Sequence, residues 1–147
     1  MMKIVIGSDH AGFLRKTEIV EHLKSQGHDI IDVGTFSSES VDYPDFAYAA
    51  SILLSQQQTE LGILVCGSGI GVSITANKVE GVRAANCLTV EMAHLARQHN
   101  NANMLTIGER LVDKETALAI VDEFLITPFE GGRHLQRVEK IHNQTGR

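Results

Sequence analysis

Residues 62–73 read "GILVCGSGIGVS". The stretch begins apolar, reaches Cys66, and then places Gly67, Gly69 and Gly71 on alternate positions. An apolar run of strand length that breaks into glycines and resumes as a helical pattern is a strand, a tight turn and a helix in succession. That order is one unit of a parallel sheet, so this stretch decides the fold class.

The same alternation extends in both directions. Upstream, KIVIG (3–7) is a short buried strand, and 11–26 is an amphipathic helix. Phe13, Ile19, Val20 and Leu23 form its apolar side, and Gly27 stops it. HDIIDVG (28–34) is a second strand, and VDYPDF (41–46) turns into a helix over 44–58. LGILVC (61–66) is the third and most hydrophobic strand, followed by a helix over 70–78. GVRAANC (81–87) and NMLTIG (103–108) are strands four and five, with a helix over 90–98 between them. Helices over 113–126 and 132–143 close the chain. The pattern predicts an α/β fold: a doubly wound, Rossmann-like sheet of five parallel strands in three αβα layers. The length of 147 residues fits a single domain over 1–147.

Composition narrows the function. A formal net charge of −5 argues against a broad nucleic-acid surface. No run approaches membrane-spanning length, and the apolar part of MMKIVIGSDH is too short for a signal peptide. The expectation is a cytoplasmic protein with Cys66 and Cys87 as reduced thiols. The NQT sequon at Asn143 then carries no meaning. The cysteines are 21 residues apart without a CxxC pair, and there is no HExxH, so no metal is expected.

In a parallel sheet, ligands bind beyond the carboxyl ends of the strands. Asp9 and His10 follow strand one, Tyr43 follows strand two, and Cys66 with its glycines follows strand three. His99 and Asn100 fall between a helix and strand five, and Arg110 follows that strand. The glycine turn suits an anion, but it is a poor dinucleotide fingerprint. Val72 occupies the place of the third glycine, and the next strand ends without an acid. No phosphate-binding GxxxxGK[ST] loop occurs either.

Each candidate has a plain structural reading beside the functional one. Cys66 is either a core thiol or a thiol activated at a helix start; its position favours the second. Cys87 reads as structural. Asp9 is a cap for the next helix or a site residue. His99 is a surface residue or a titratable group in the site. Arg133 and Arg137 share a helical face after two glycines, which suits a phosphate group. Glu130 and Glu139 nearby support an ordinary charged face instead. His22, His28 and His142 are expected in solvent.

Six stretches resemble the ribose-5-phosphate isomerase B family, which includes galactose-6-phosphate isomerase subunits. They are GSDHAG (7–12), VDYPDF (41–46), CGSGIGVSITANK (66–78), GVRAA (81–85), ARQHNNANML (96–105) and GGRHLQR (131–137). The resemblance implies an aldose–ketose isomerase of ribose 5-phosphate and ribulose 5-phosphate, with no cofactor. Its partners would be the small sugar phosphate and a second copy of itself, as homodimer or tetramer, with no nucleic acid and no membrane. By the same resemblance Cys66 is the base, His99 opens the sugar ring, Ser68 moves a proton and Asp9 takes one up. Asp9, His10, Tyr43, Gly67, Ser68, Gly69, Ile70, Gly71, Asn100, Arg110, Arg133 and Arg137 would hold substrate. His99, Asn100 and Arg110 would reach a pocket whose Cys66 belongs to the other subunit.

Part of the family uses a glutamate where this chain has Val72, which accepts no proton, so the base falls to Cys66. Ser68 stands where many relatives have threonine and keeps the hydroxyl. A six-carbon substrate, allose 6-phosphate or galactose 6-phosphate, is the nearest alternative. A covalent cysteine hydrolase would use the Cys66–His99 pair but leave the arginine pair unexplained, and a non-enzymatic nucleotide-binding module would be stabilised by adenine nucleotides.

Overall fold

A computed structural model describes all 147 residues. Five parallel strands are observed: β1 (Lys3–Ser8), β2 (Asp29–Asp32), β3 (Leu61–Cys66), β4 (Ala84–Asn86) and β5 (Met104–Gly108). Their order in the sheet is β2-β1-β3-β5-β4, with β3 at the centre. Six α-helices accompany them: α1 (Phe13–Ser25), α2 (Tyr43–Ser55), α3 (Ile70–Ala76), α4 (Val90–Asn100), α5 (Lys114–Ile126) and α6 (Arg133–Thr145).

Strand alternation builds two cores. Ile4, Ile6, Ile63, Val65, Leu105 and Ile107 point to one face, where they meet Ile19 and Leu23 of α1, Ala93 and Ala96 of α4, and Phe124 of α5. Val5, Leu64, Cys66 and Met104 point to the other, beneath Ala47, Ala50 and Leu54 of α2 and Val72 and Ala76 of α3. Because side chains alternate with period two, a strand covered on both faces reads as continuously apolar. That explains the unbroken LGILVC. Burying each large aliphatic side chain on these faces contributes roughly 1.5–3 kcal/mol.

Two features depart from the sequence reading, and a buried lysine adds one on which it made no statement. Residues 10–12 form a separate 3₁₀ turn before α1, and the Asp9 carboxylate accepts from the Gly12 N–H at 3.0 Å. A Cβ at Gly12 would sit 2.5 Å from the Val65 backbone, so this turn lies hard against β3. Lys16, on the buried side of α1, is only 1% exposed. Its ammonium meets both Asp32 carboxylate oxygens at 2.7 and 2.8 Å and the Thr35 carbonyl at 2.7 Å. A buried charge with that many acceptors is satisfied. Finally, α4 runs on through His99 and Asn100 and ends at Asn101 in the left-handed conformation. Those two residues are its last helical positions, not a loop before β5.

His22, His28 and His142 are not free in solvent. All three are half-buried and hydrogen-bonded, to Asp122, to the Met2 N–H and to Arg83 respectively.

Candidate active site

β3 delivers Cys66 to the carboxyl edge of the sheet, where its side chain is 5% exposed. The chain then turns through Gly69 at φ +79°, in the region open to glycine. A Cβ there would meet the Asn86 Oδ1 at 2.3 Å and the Ile107 backbone at 2.9 Å. This turn aims the Gly69 N–H at the Cys66 Sγ, 3.1 Å away. The Ile70 N–H donates to the Ser68 Oγ at 3.2 Å. The loop therefore supplies donors to both groups that the resemblance makes chemical.

The other two glycines admit neighbours. A Cβ at Gly71 would lie 2.5 Å from the Tyr43 ring, and one at Gly67 would lie 3.0 Å from the Arg110 guanidinium. The loop after β5 is tied to the same turn: Glu109 N–H donates to the Cys66 carbonyl at 2.9 Å, and Arg110 N–H to the Gly67 carbonyl at 3.0 Å. From β1 come Asp9, 7% exposed, and His10. The Nδ1 of His10 accepts from the Val41 N–H at 3.1 Å, which leaves Nε2 to carry any ring proton of the neutral form.

These residues enclose a cleft of about 390 Å³ lined by Asp9, His10, Tyr43, Cys66, Gly67, Ser68, Gly71 and Arg110. Arg110 thus shares the cleft with Cys66 of its own chain. The expectation that it reaches across from a second subunit is corrected: the β5 loop is bonded directly to the Cys66 turn. Gly69 is buried inside the turn, and the side chain of Ile70 points outward, 52% exposed.

The remaining candidates gather elsewhere. His99 and Asn100 end α4, while Arg133 and Arg137 begin α6. None of the four lines the Cys66 cleft. Arg133 and Arg137, with Gln136 and Lys140, border a separate basic cleft of about 250 Å³. The His99 ring stacks on His134, with centroids 4.3 Å apart and planes 11° from parallel. Burial, then the neighbouring charges of His99, Arg133 and Arg137, hold the His134 imidazolium below the usual histidine range, against the pull of Glu130. Sequence reasoning left His134 and Glu130 out of the candidate site; Glu130 lies in the loop before α6, so no helical spacing pointed to their meeting. The second thiol, Cys87, is buried, and desolvation pushes it up to about 11.

Comparison with known proteins agrees with the fold. Residues 4–141 match the family model described as Ribose/Galactose Isomerase. The chain is 49% identical over 141 residues to Ribose-5-phosphate isomerase B of Escherichia coli, covering 96% of this chain and 95% of that protein. Its fold superimposes on Clostridium thermocellum Ribose-5-Phosphate Isomerase B with a TM-score of 0.97 at 49% identity, covering 99% and 98% of the two chains. The Mycoplasma genitalium Ribose-5-phosphate Isomerase B, solved with bound Ribulose-5-phosphate, gives a TM-score of 0.95 at 43% identity, covering 98% and 96%. With its sheet order, its Cys66 turn and this extent of similarity together, the chain belongs to the ribose/galactose isomerase family.

Proposed function

We propose that this chain interconverts ribose 5-phosphate and ribulose 5-phosphate through an enediolate, with Cys66 as the carbon-acid base. The observation that carries the reading is the Cys66 thiol at the edge of the cleft with the Gly69 N–H aimed at its Sγ at 3.1 Å. A backbone donor at that distance suits a thiolate. Val72, in α3, is fully buried and offers no competing base.

The sugar enters as a closed furanose, whose C2–H is not acidic. His99 protonates the ring oxygen while Asp9 takes the hydroxyl proton on the anomeric carbon, giving the open aldehyde. Cys66 then removes the C2 proton and returns it to C1. Ser68 carries a proton between O1 and O2. Gly69 and Ile70 already direct their N–H groups to Cys66 and Ser68. The N–H groups of Gly67, Ser68 and Gly71 remain for the developing oxyanion. His10, Arg110, Arg133 and Arg137 hold the phosphate and so fix which carbon faces the thiol.

Cys66 and His99 lie in separate parts of one chain, so a second copy completes the site. In a two-fold dimer, His99, Asn100, Arg133 and Arg137 of one protomer close over the cleft of its partner. No helix is long and apolar enough to cross a membrane, and reduced thiols fit action in the cytoplasm.

The test is a coupled assay across ribose 5-phosphate, allose 6-phosphate and galactose 6-phosphate. The expected outcome is the highest kcat/KM for ribose 5-phosphate. Faster turnover of either six-carbon sugar would replace this substrate assignment with the other.

A further inference from the structure

We propose that Lys16 is a positioning residue for the cleft: its buried ammonium fixes where the loop after β2 leaves the sheet, and that loop sets the tautomer in which His10 meets the substrate. Lys16 is 1% exposed, and an ammonium has three protons to place. All three find acceptors: the two Asp32 carboxylate oxygens and the Thr35 carbonyl, at 2.7, 2.8 and 2.7 Å. The Phe36 and Phe13 rings lie over the same charge, with centroids 4.8 and 5.6 Å from Nζ. A buried ion pair is weak evidence for stability, since apolar side chains of similar volume often fill such a place at no loss. An apolar side chain cannot bind the Thr35 carbonyl, however. The charge therefore specifies the course of the backbone.

That backbone is the seam between the end of β2 and the residues that enter the cleft from β1. The Asp32 carboxylate also accepts from the Gly34 N–H at 2.9 Å. Ser8 N–H donates to the Gly34 carbonyl at 2.7 Å, and Thr35 N–H donates to the Ser8 carbonyl at 2.8 Å. Ser8 ends β1 and immediately precedes Asp9 and His10. Beyond Thr35, residues 36–40 are exposed, and no hydrogen bond ties them to the rest of the chain. The loop returns at Val41, whose N–H reaches the His10 Nδ1 at 3.1 Å. α2 begins at Tyr43, so Val41 is held on one side by the helix and on the other only by this loop. Lys16 anchors the near end of the loop, and its far end rests on His10. An exposed segment without bonds of its own shifts when its anchor is released.

A ring nitrogen that accepts a hydrogen bond is unprotonated, so the bond from Val41 keeps the proton of the neutral ring on Nε2. Without that bond both tautomers are open. The Nε2–H form leaves a donor for the phosphate on the ring atom away from Val41, and this consequence rests on the phosphate role proposed for His10.

Nitrogen-15 NMR of histidine-labelled protein at about pH 8.5, above the ordinary histidine range, reads the tautomer; His10→Ala identifies the signal. The wild-type ring is expected to show two well-separated nitrogens, Nδ1 unprotonated and Nε2 protonated. In Lys16→Met they are expected to move together as both tautomers populate. Asp32→Asn, at a side chain 27% exposed, strips the buried ammonium of its counter-charge and gives the same change. It serves where Lys16→Met does not fold. With ribose 5-phosphate, KM rises about tenfold in Lys16→Met while kcat changes by less than about threefold. In the His10→Ala background the same substitution adds less than about twofold, because the route through His10 is already lost. An unshifted Nε2–H tautomer in the folded variants overturns the positioning role. So does a KM effect of Lys16→Met that is undiminished in the His10→Ala background. An unchanged KM in His10→Ala itself overturns the phosphate role of His10 and not the brace, which the tautomer then decides.

Discussion

Around Cys66 the backbone holds the chemistry; around His99 the side chains hold one another. In the first region, two N–H groups of one turn reach Sγ and the Ser68 hydroxyl, and two more bonds clamp the β5 loop to that turn. Glycines make this possible by letting Tyr43 and Arg110 approach. In the second region, His99 rests on the His134 ring, and Glu130 approaches both at about 4 Å without a close hydrogen bond. One region is set by the fold of the single chain. The other presents a basic, partly exposed surface whose geometry a second copy can still adjust.

The sharpest way to break this contrast is to remove the thiol. Cys66→Ala is expected to lower turnover by about 10²- to 10⁴-fold, the usual range for a general base, while folding and phosphate binding stay nearly intact. Exchange of the substrate C2 proton with deuterated solvent should disappear with it. Retention of more than a few per cent of wild-type turnover would show that Cys66 is not the base.

Complementation asks whether the two regions serve one pocket. Cys66→Ala and His99→Ala homodimers are both expected to be inactive. When they are co-refolded in equal amounts, half the dimers are mixed, and each mixed dimer has one intact pocket. About one quarter of wild-type activity is then expected. A mixture as inactive as its parents, with subunit exchange verified, places both residues in a single-chain pocket.

Most of the fold was legible because the evidence for it is local. The uninterrupted LGILVC, the glycines at 67, 69 and 71 and the helical periods flanking them identify β3, the turn and α3 without any long-range contact. The misreadings share a cause. The end of α4 was placed two residues early because Asn101, not glycine, takes the left-handed cap. Arg110 follows β5 in sequence, but only the bonds of its loop to Cys66 and Gly67 show which cleft it lines. The meeting of His99 with His134 joins two helices 35 positions apart in sequence, and no spacing rule reaches that far.

A smaller effect separates a phosphate-binding helix from an ordinary charged one. If Arg137 holds the phosphate as proposed, Arg137→Ala removes a charge-assisted contact, a loss of about 1.5–3 kcal/mol. That corresponds to a fall of roughly 10- to 150-fold in kcat/KM, expressed chiefly through KM. An unchanged KM would return Arg137 to the solvated face that Glu130 and Glu139 favoured.

The smallest effect lies in the scaffold beneath the second region. Cys87 belongs to the same core cluster as Ala93 and Ala96 of α4, the helix that carries His99. Burial raises its thiol from 9.0 to about 11. Above pH 9 the unfolded chain gives up this proton while the folded chain keeps it, so the folded state binds more protons and stability falls as pH rises. At pH 10, one unit above the unfolded value, the loss from this group is about 1.4 kcal/mol. Cys87→Ala lacks that ionisation. The wild-type protein should therefore lose about 1.4 kcal/mol more than Cys87→Ala between pH 8 and pH 10 in urea unfolding, whatever the cost of the substitution at pH 8. Ellman's reagent supplies the matching contrast: Cys66, at the cleft, reacts in the native protein, and Cys87 reacts only after unfolding. Parallel stability curves for the two proteins, or prompt labelling of Cys87, would mean that the core under α4 opens readily. The second region would then lack the rigid floor on which the placement of His99 depends.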